Sequence, residues 1–484
     1  MSLSLALNTA RASLSATSTQ IETTARNIGN AGQPGASRKI AVTTTEASGG
    51  AYVVAVSRAS DSALYTRMLG ATSNAADRQA VLDGLNRLRT GMGDPAGDSA
   101  PAARIGALGD ALAQFANAPD DPAFGVRAVT VAQDLATALN AAATTVRTVR
   151  TDADAGMARS VVRVNDLLKQ FAAENDAVVK GTGAGRDVSD ALDRRDTLLA
   201  GIAEEMGVTA VSRANNDLVL YTDGGATLFE TVPRSVTFKT TPVLAAGMAG
   251  QAVMVDGVSV TGADAAMPLR SGRIAGLAEL RDRSAVTLET QLDSMALGLV
   301  QAFAETDQSG TGAPDAPGLF TDGTANLPAQ ATGLAARLAV NAAVDPARGG
   351  SPSLLRDGGI NGAAYVANAG GQASFADQLQ ATGTALADVR DFDPTAGIPA
   401  RSTLADFAAA STGWLEGQRQ VAAGAADSEY ALLSHASTAL SNATGINMDD
   451  EYARQLDLER SYQASSKLIA VINGLYDALF QAVR

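Results

Sequence analysis

The chain has no cysteine and a single histidine, His435, among its 484 residues. Thiolate chemistry, disulfides and Cys/His metal sites are therefore out of its reach. Aromatic residues are scarce at 4%, although hydrophobic residues reach 46%. Alanine and small aliphatics must do most of the burying, which suits helices packed closely over long contacts. Basic residues are outnumbered, 37 Lys and Arg against 51 Asp and Glu, for a formal charge of −14. Phosphate binding needs a basic face, so no nucleic-acid partner is expected. The plain reading of the acidity is solubility. No apolar run reaches the roughly 18 residues of a membrane span, so no membrane insertion is expected. The first residues lack the basic flank, apolar stretch and cleavage site of a Sec signal, so export would proceed without a cleaved signal peptide.

What is present is a pair of hydrophobic ladders, one near each end. Leu7, Leu14, Ile21 and Ile28 recur every seven residues, with Leu3, Ala10, Thr17 and Thr24 interleaved. In the last segment Tyr462, Ile469, Tyr476 and Val483 recur every seven, with Leu458, Ser465, Ile472 and Leu479 between. A 4-3 alternation puts one apolar seam on one side of a helix and suits coiled-coil packing. Each helix has a seam but no core of its own, so the two are expected to pack on each other and then on copies of the chain. Thr17, Thr24 and Ser465 weaken the seams, as suits a segment that orders on assembly.

Between the ladders the punctuation is clear. Helix is expected over 3–29, stopped by Gly29, Gly32, Pro34 and Gly35, with positive φ at the three glycines. Residues 40–56 read as an extended segment or hairpin. Helices follow from about 62 to 89, with a break at Asp94, Pro95, Ala96 and Gly97, and from 101 to 116. Two long helices come next, one carrying Ala128 to Val149 and one Met157 to Val178, read as an antiparallel hairpin. A shorter helix spans about 188–206. Residues 208–260 alternate, with Asp223-Gly224 and Asp256-Gly257 as two-residue hairpin turns. Helix returns over 271–303, loops surround short elements over 307–400, and helices resume from 404, with Gly445 before the last.

These elements predict a mainly α fold with an inserted β-rich outer domain and paired terminal coiled-coil helices on an elongated helical trunk. The expected division is a terminal assembly domain of 1–45 with 440–484 and a helical trunk of 46–206 with 270–306 and 401–439. A β-rich outer domain of 207–269 and a loop-rich outer segment of 307–400 complete it.

Asn27, Ile28, Gly29, Asn30, Ala31, Gly32, Gln33, Pro34, Gly35, Ala36, Ser37 and Arg38 resemble the Asn-Ile-Ala-Asn-x-Asn-Thr-Pro-Gly-Tyr-Ser-Arg signature of flagellar axial proteins. Gly29, Gly32, Gln33 and Ala36 depart from it and loosen the turn. Leu192, Asp193, Arg194, Arg195 and Asp196, then Ser271 to Leu277 with Arg281 and Asp282, and the run from Thr444 through Glu451 to Asp477 resemble segments of the hook-associated protein 1 family. The resemblance implies a structural component at the hook–filament junction, extracellular on the flagellum, with no enzymatic activity and no cofactor. Implied partners are copies of itself in a ring, hook protein, the second junction protein and a cytoplasmic export chaperone on the C-terminal helix. The expected assembly seam is Leu3, Leu7, Leu14, Ile21, Ile28, Leu458, Tyr462, Ile469, Ile472, Tyr476, Leu479 and Val483. Asn27, Asn30, Pro34, Gly35, Ser37 and Arg38 are the family-motif residues.

Two other readings stand beside this one. The chain could be another axial flagellar protein, such as a hook, rod or second junction protein, or a secreted hydrolase with long helices. The paired carboxylates are Asp120-Asp121, between two prolines in a turn, and Asp449-Asp450-Glu451, at a helix start where acids favour the dipole. Asp190 precedes Arg194 by four residues, as in a helix ion pair. Asp307 opens a loop with a faint calcium-site look but no closing Glu, and reads as a plain loop. Gly181 to Gly185 lacks the Lys and Ser/Thr of a phosphate loop.

Overall fold

The structure, a computed structural model, describes residues 3–45, 50–93 and 97–482. The break expected at Asp94, Pro95 and Ala96, and Val483 of the ladder, lie outside the described residues.

The chain opens with α1 (Leu3–Asn30), then the hairpin β1 (Lys39–Thr45) and β2 (Ala51–Arg58), antiparallel with an irregularity between Val42 and Thr43. Four helices follow: α2 (Ser62–Met92), α3 (Pro101–Asn117), α4 (Pro122–Gly183) and α5 (Ser189–Glu205). Local chemistry starts them where the sequence suggested. The Asp61 carboxylate accepts from the amides of Ala63 and Leu64, both at 3.0 Å. Asp121 accepts from Ala123 at 2.9 Å, with Pro122 at the first helical position. Both satisfy amides that the first turn leaves unpaired.

The hairpin of long helices does not exist: α4 is one helix of 62 residues, about 90 Å long at 1.5 Å per residue. Nothing between Val149 and Met157 stops it. Ala153 carries the buried stripe across the gap, and Gly156 costs only about 1 kcal/mol relative to alanine. The stripe runs from Ala128 through Leu135, Leu139, Val146, Met157, Val164 and Leu168 to Val178.

The β region comprises two small antiparallel sheets. One has the order β3 (Val208–Ser212), β4 (Leu218–Thr222), β5 (Thr227–Phe229); the other has β6 (Val236–Thr237), β7 (Met254–Val255), β8 (Val258–Ser259). The Asp256-Gly257 turn has both residues at positive φ, 50° and 83°, as a tight hairpin requires. Asp223-Gly224 is not a two-residue turn. Four residues separate the strands and Gly225 takes the positive φ, 96°. Asp223 instead binds the Arg270 amide and the Ser271 hydroxyl.

Next come α6 (Arg273–Glu279), a five-residue π turn (Leu280–Ser284) and α7 (Ala285–Ala302), which together form the expected helix over 271–303. Its entry is tight. A side chain at Gly272 would meet the Met206 backbone at 2.4 Å, and one at Gly276 would meet the Asp77 carbonyl at 2.3 Å. This is the physical content of the Ser271–Leu277 segment. Short elements follow: β9 (Phe320–Thr321) pairs with β10 (Ala339–Val340), then α8 (Leu354–Asp357), α9 (Asp377–Ala387), and β11 (Arg390–Asp391) paired with β12 (Arg401–Ser402). Last are α10 (Leu404–Thr444) and α11 (Met448–Ala482).

Two cores hold the body together. The first joins α2, α3, the front of α4, α7 and α10 with Leu319, Phe320, Leu338, Leu355, Leu379 and Phe392 of the loop-rich segment. The second joins the rear of α4 with α5, α6 and both sheets. Two fully buried arginines stitch the cores at the π turn. Arg150 pairs with Glu289 at 2.8 Å and donates to the carbonyls of Ala245, Met248 and Arg281. Arg281 pairs with Asp154 at 2.5 Å and Asp282 at 2.7 Å and reaches the Gln251 carbonyl. The π turn belongs to the same crossing, between the helices and the loop that leads into β7.

Candidate functional site

α1 packs along α11. On α1 the buried side chains are Ala10, Ala16, Thr17, Thr23, Thr24 and Asn27. Leu3, Leu7, Leu14, Ile21 and Ile28 are half-buried. The buried face is thus made of small residues and Asn27, and two of its threonines are satisfied within the helix. Thr17 donates to the Ser13 carbonyl at 2.9 Å and Thr23 to that of Thr19 at 2.8 Å, one turn back in the same helix.

On α11 only Glu451 and Ile472 are buried. Leu458, Ile469 and Tyr476 are half-buried, whereas Tyr462 and Leu479 are exposed. A second stripe stands free. Leu468, Val471, Leu475 and Leu479 are 50%, 61%, 52% and 50% exposed. Their steps of three and four residues put them on one helical face.

Where the pair joins the body, three separated sequence motifs converge. Asn27 receives the Lys39 amide at 2.8 Å, and its own amide group donates to the Lys39 carbonyl at 2.9 Å and to Glu451 at 3.1 Å. Arg38 donates to the other Glu451 oxygen at 2.6 Å, and the Glu451 side chain is 1% exposed. Asn447 and Asp449 lie on the same turn, but Glu451 makes the contact; its role is more specific than favouring a helix dipole. The Ser37 hydroxyl and amide donate to Asp193 at 2.6 and 3.0 Å. Lys39, its side chain 2% exposed, pairs with Asp193 as well. Arg58 bridges Asp193 at 2.9 Å and Asp196 at 2.6 Å. Arg26 binds Asp187 at 3.0 Å and Asp190 at 2.7 Å.

Asp190 therefore pairs across to α1 and not with Arg194, which pairs with Glu174 at 2.9 Å. The turn needs Gly35: its φ is 80°, and a side chain there would meet the Thr197 hydroxyl at 2.5 Å. Gly32 also has positive φ, 82°, whereas Gly29 lies inside α1. Asn30 closes the helix, its carbonyl accepting from Gln33 at 3.0 Å. Pro34 is exposed in the turn that follows α1.

The electrostatics follow from the geometry. Burial pushes the Asp193 carboxyl up, but hydrogen bonds from Lys39, Ser37 and Arg58 outweigh it and hold the group below its ordinary value. Asp187 is also lowered, burial being overcome by Ser189 and Arg26. Burial raises Asp196 against the pull of Arg58, and burial together with Asp196 raises the Tyr65 phenol.

The remaining candidates have local roles. Asp121 caps α4 and His435 is exposed on α10. Asp307 accepts from Ser309, Gly312 and Ala313 of its own loop, and these bonds, led by the Ser309 hydroxyl, lower it to about 2. An open cavity of about 520 Å³ lies between α7, residues 329–332 and residues 390–394. Of its two carboxylates, Asp393 is taken up by Thr395 at 2.8 and 2.6 Å. Its Arg390 donates to the carbonyls of Gly298 and Ala385, near the ends of α7 and α9. No helix among the described residues is long and apolar enough to cross a membrane.

Residues 85–320 match the family model described as the flagellar hook-associated protein FlgK helical domain. None of the curated proteins compared with the chain matches it. Among solved structures, the flagellar hook junction protein FlgK from Burkholderia pseudomallei is similar at 21% identity with a TM-score of 0.43. That match covers 53% of this chain and 46% of the other, less than half of its length.

Proposed function

We propose, from the match of residues 85–320 to the model of the flagellar hook-associated protein FlgK helical domain, a structural adaptor at the junction of hook and filament. The observation that carries this reading is the α1–α11 pair, two helices that pack on each other and leave Leu468, Val471, Leu475 and Leu479 half or more exposed. In the assembled flagellum these side chains meet the α1–α11 pair of the next copy in a ring. One side of the ring faces hook protein and the other the second junction protein. The chain is exported and works outside the cell, without catalysis. Before export, a cytoplasmic chaperone covers the C-terminal helix, since an exposed apolar stripe of this length is an aggregation hazard.

A deletion strain should build hooks but shed its filament subunits into the medium. The wild-type gene should restore attachment, and a gene carrying Val471→Asp and Leu475→Asp should not, although the purified variant keeps its helical circular-dichroism signal. Filaments held normally by that double variant would rule out the stripe as the assembly surface. A deletion strain with no flagellar phenotype would rule out the junction role.

A further inference from the structure

We propose that the α1–hairpin–α11 unit is a module clasped to the trunk by charge, and that opening the clasp lets it swing as a unit about two short backbone links. This rests on the junction geometry and not on the proposed function.

Neither hydrophobic core includes a residue of α1, β1, β2 or α11. The unit is joined covalently at two places, residues 59–61 and residues 445–447. The two links lie side by side, because Arg38 touches both: its carbonyl accepts from Ala59 at 2.7 Å and its amide donates to Thr444 at 2.8 Å. The ion pairs to the trunk described above fall on one stretch, residues 187–196, which leads into α5 and forms its first half. Asp187, Asp190, Asp193 and Asp196 recur every three residues there, and they receive Arg26, Lys39 and Arg58 of the terminal unit. The ring of charge is matched in sign, acid on the trunk and base on the module. Tyr65 holds α5 to α2 through the Asp196 carbonyl at 2.6 Å, so the acidic side of the clasp belongs to the trunk.

Such a joint differs from an apolar one in its response to salt. Raising ionic strength from about 0.1 to 1 M shortens the screening length from about 10 to 3 Å. The half-exposed Arg26 pairs weaken first, while apolar packing within each part is not weakened. An ionic clasp beside a two-strand pivot lets the angle between module and trunk change without unfolding either.

The absence of cysteine makes the test site-specific. Spin labels at Ser18→Cys on α1 and Ala173→Cys on α4 report the module–trunk distance, and labels at Ser18→Cys and Ser461→Cys report the distance within the module. At 0.1 M salt both pairs should give one narrow distribution. At 1 M salt, or with Asp190→Asn and Asp193→Asn together, the module–trunk distribution should broaden severalfold while the within-module one stays narrow. Arg194→Gln, whose partner Glu174 is on the trunk, should change neither. Should the double variant lose helix by circular dichroism, Arg26→Gln at 1 M salt is the deciding sample. A module–trunk distance that stays narrow in high salt and in the variants overturns the clasp. Broadening of both pairs together overturns it too, since that is melting of the module and not rotation.

Discussion

α4 and α11 are both long helices read from the same kind of 4-3 pattern, yet they are solvated in opposite ways. α4 buries 23 of its 62 residues, and several of them, such as Leu135, Leu139 and Met157, are wholly inaccessible. α11 buries two over 35 residues. The periodicity does not distinguish them. What differs is the neighbourhood: α4 is enclosed by α2, α3, α5, α6 and α7, while α11 has α1 as its main partner. A stripe on a helix states that something covers it and leaves open whether the cover belongs to the same chain.

The contrast is broken most severely by substitutions in the body. Arg150→Ala leaves Glu289 buried without its partner, which should cost about 3–5 kcal/mol and lower the main unfolding transition in chemical denaturation. If that transition moves by less than 1 kcal/mol, the arginine does not hold the cores together. Gly276→Ala puts a methyl group against the Asp77 carbonyl and should cost about 1–3 kcal/mol in the same measurement, because α2 and α6 must separate.

A pH series sharpens the comparison from the trunk side. Burial raises Asp293 to about 6 against the opposing amides of Ala335 and Gly333. A carboxyl with a folded pKa above its unfolded value, about 3.9, binds protons preferentially in the folded state. Its contribution to stability therefore grows as pH falls from 7 through 6 toward 4. Wild type should gain melting temperature relative to Asp293→Asn between pH 7 and 5. A constant difference across that range would show that Asp293 does not titrate there. Asp193, lowered in the fold, has the opposite sign: its support is present above about 3.9 and is lost as pH falls through its folded value.

Substitutions in the terminal pair should move the main transition least. Ile472→Ala should leave that transition within about 0.5 kcal/mol of wild type, because neither core contains the residue. The loss should be local, as faster amide exchange over residues 3–28. Limited proteolysis of wild type should likewise remove the terminal segments before the trunk is cut. Uniformly slow exchange over 3–28 in Ile472→Ala would place the strength of the pair elsewhere.

Much of this was readable from residues alone. Proline, glycine and capping aspartate mark most helix ends because they act within a turn or two of the chain. The hairpin at 39–58, the β character of 208–260 and the loop-rich run after 307 follow from equally local signals. The hairpin within α4 was misread because a seven-residue gap between two ladders looks like a turn, although Arg150 to Gly156 contains no residue that stops a helix. Asp190 and Arg194 were misassigned because spacing shows which side chains can meet, not which partners compete for them. Arg150 left no signal at all, since nothing in a helical pattern distinguishes a buried arginine from a solvated one.

The sequence by itself determined most helix ends, the hairpin at 39–58 and the β character of 208–260, because backbone propensity, periodicity and turn chemistry are properties of neighbours in the chain. The tertiary structure alone decided that Asn27, Arg38, Asp193 and Glu451 form one junction, and that the loop-rich segment completes the first core. It also decided that the free apolar face of α11 runs through Leu468 and Leu475 and not through the whole predicted ladder. Those facts depend on which surfaces far apart in the chain are pressed together, and hydrogen-bond partners and burial have no meaning until they are.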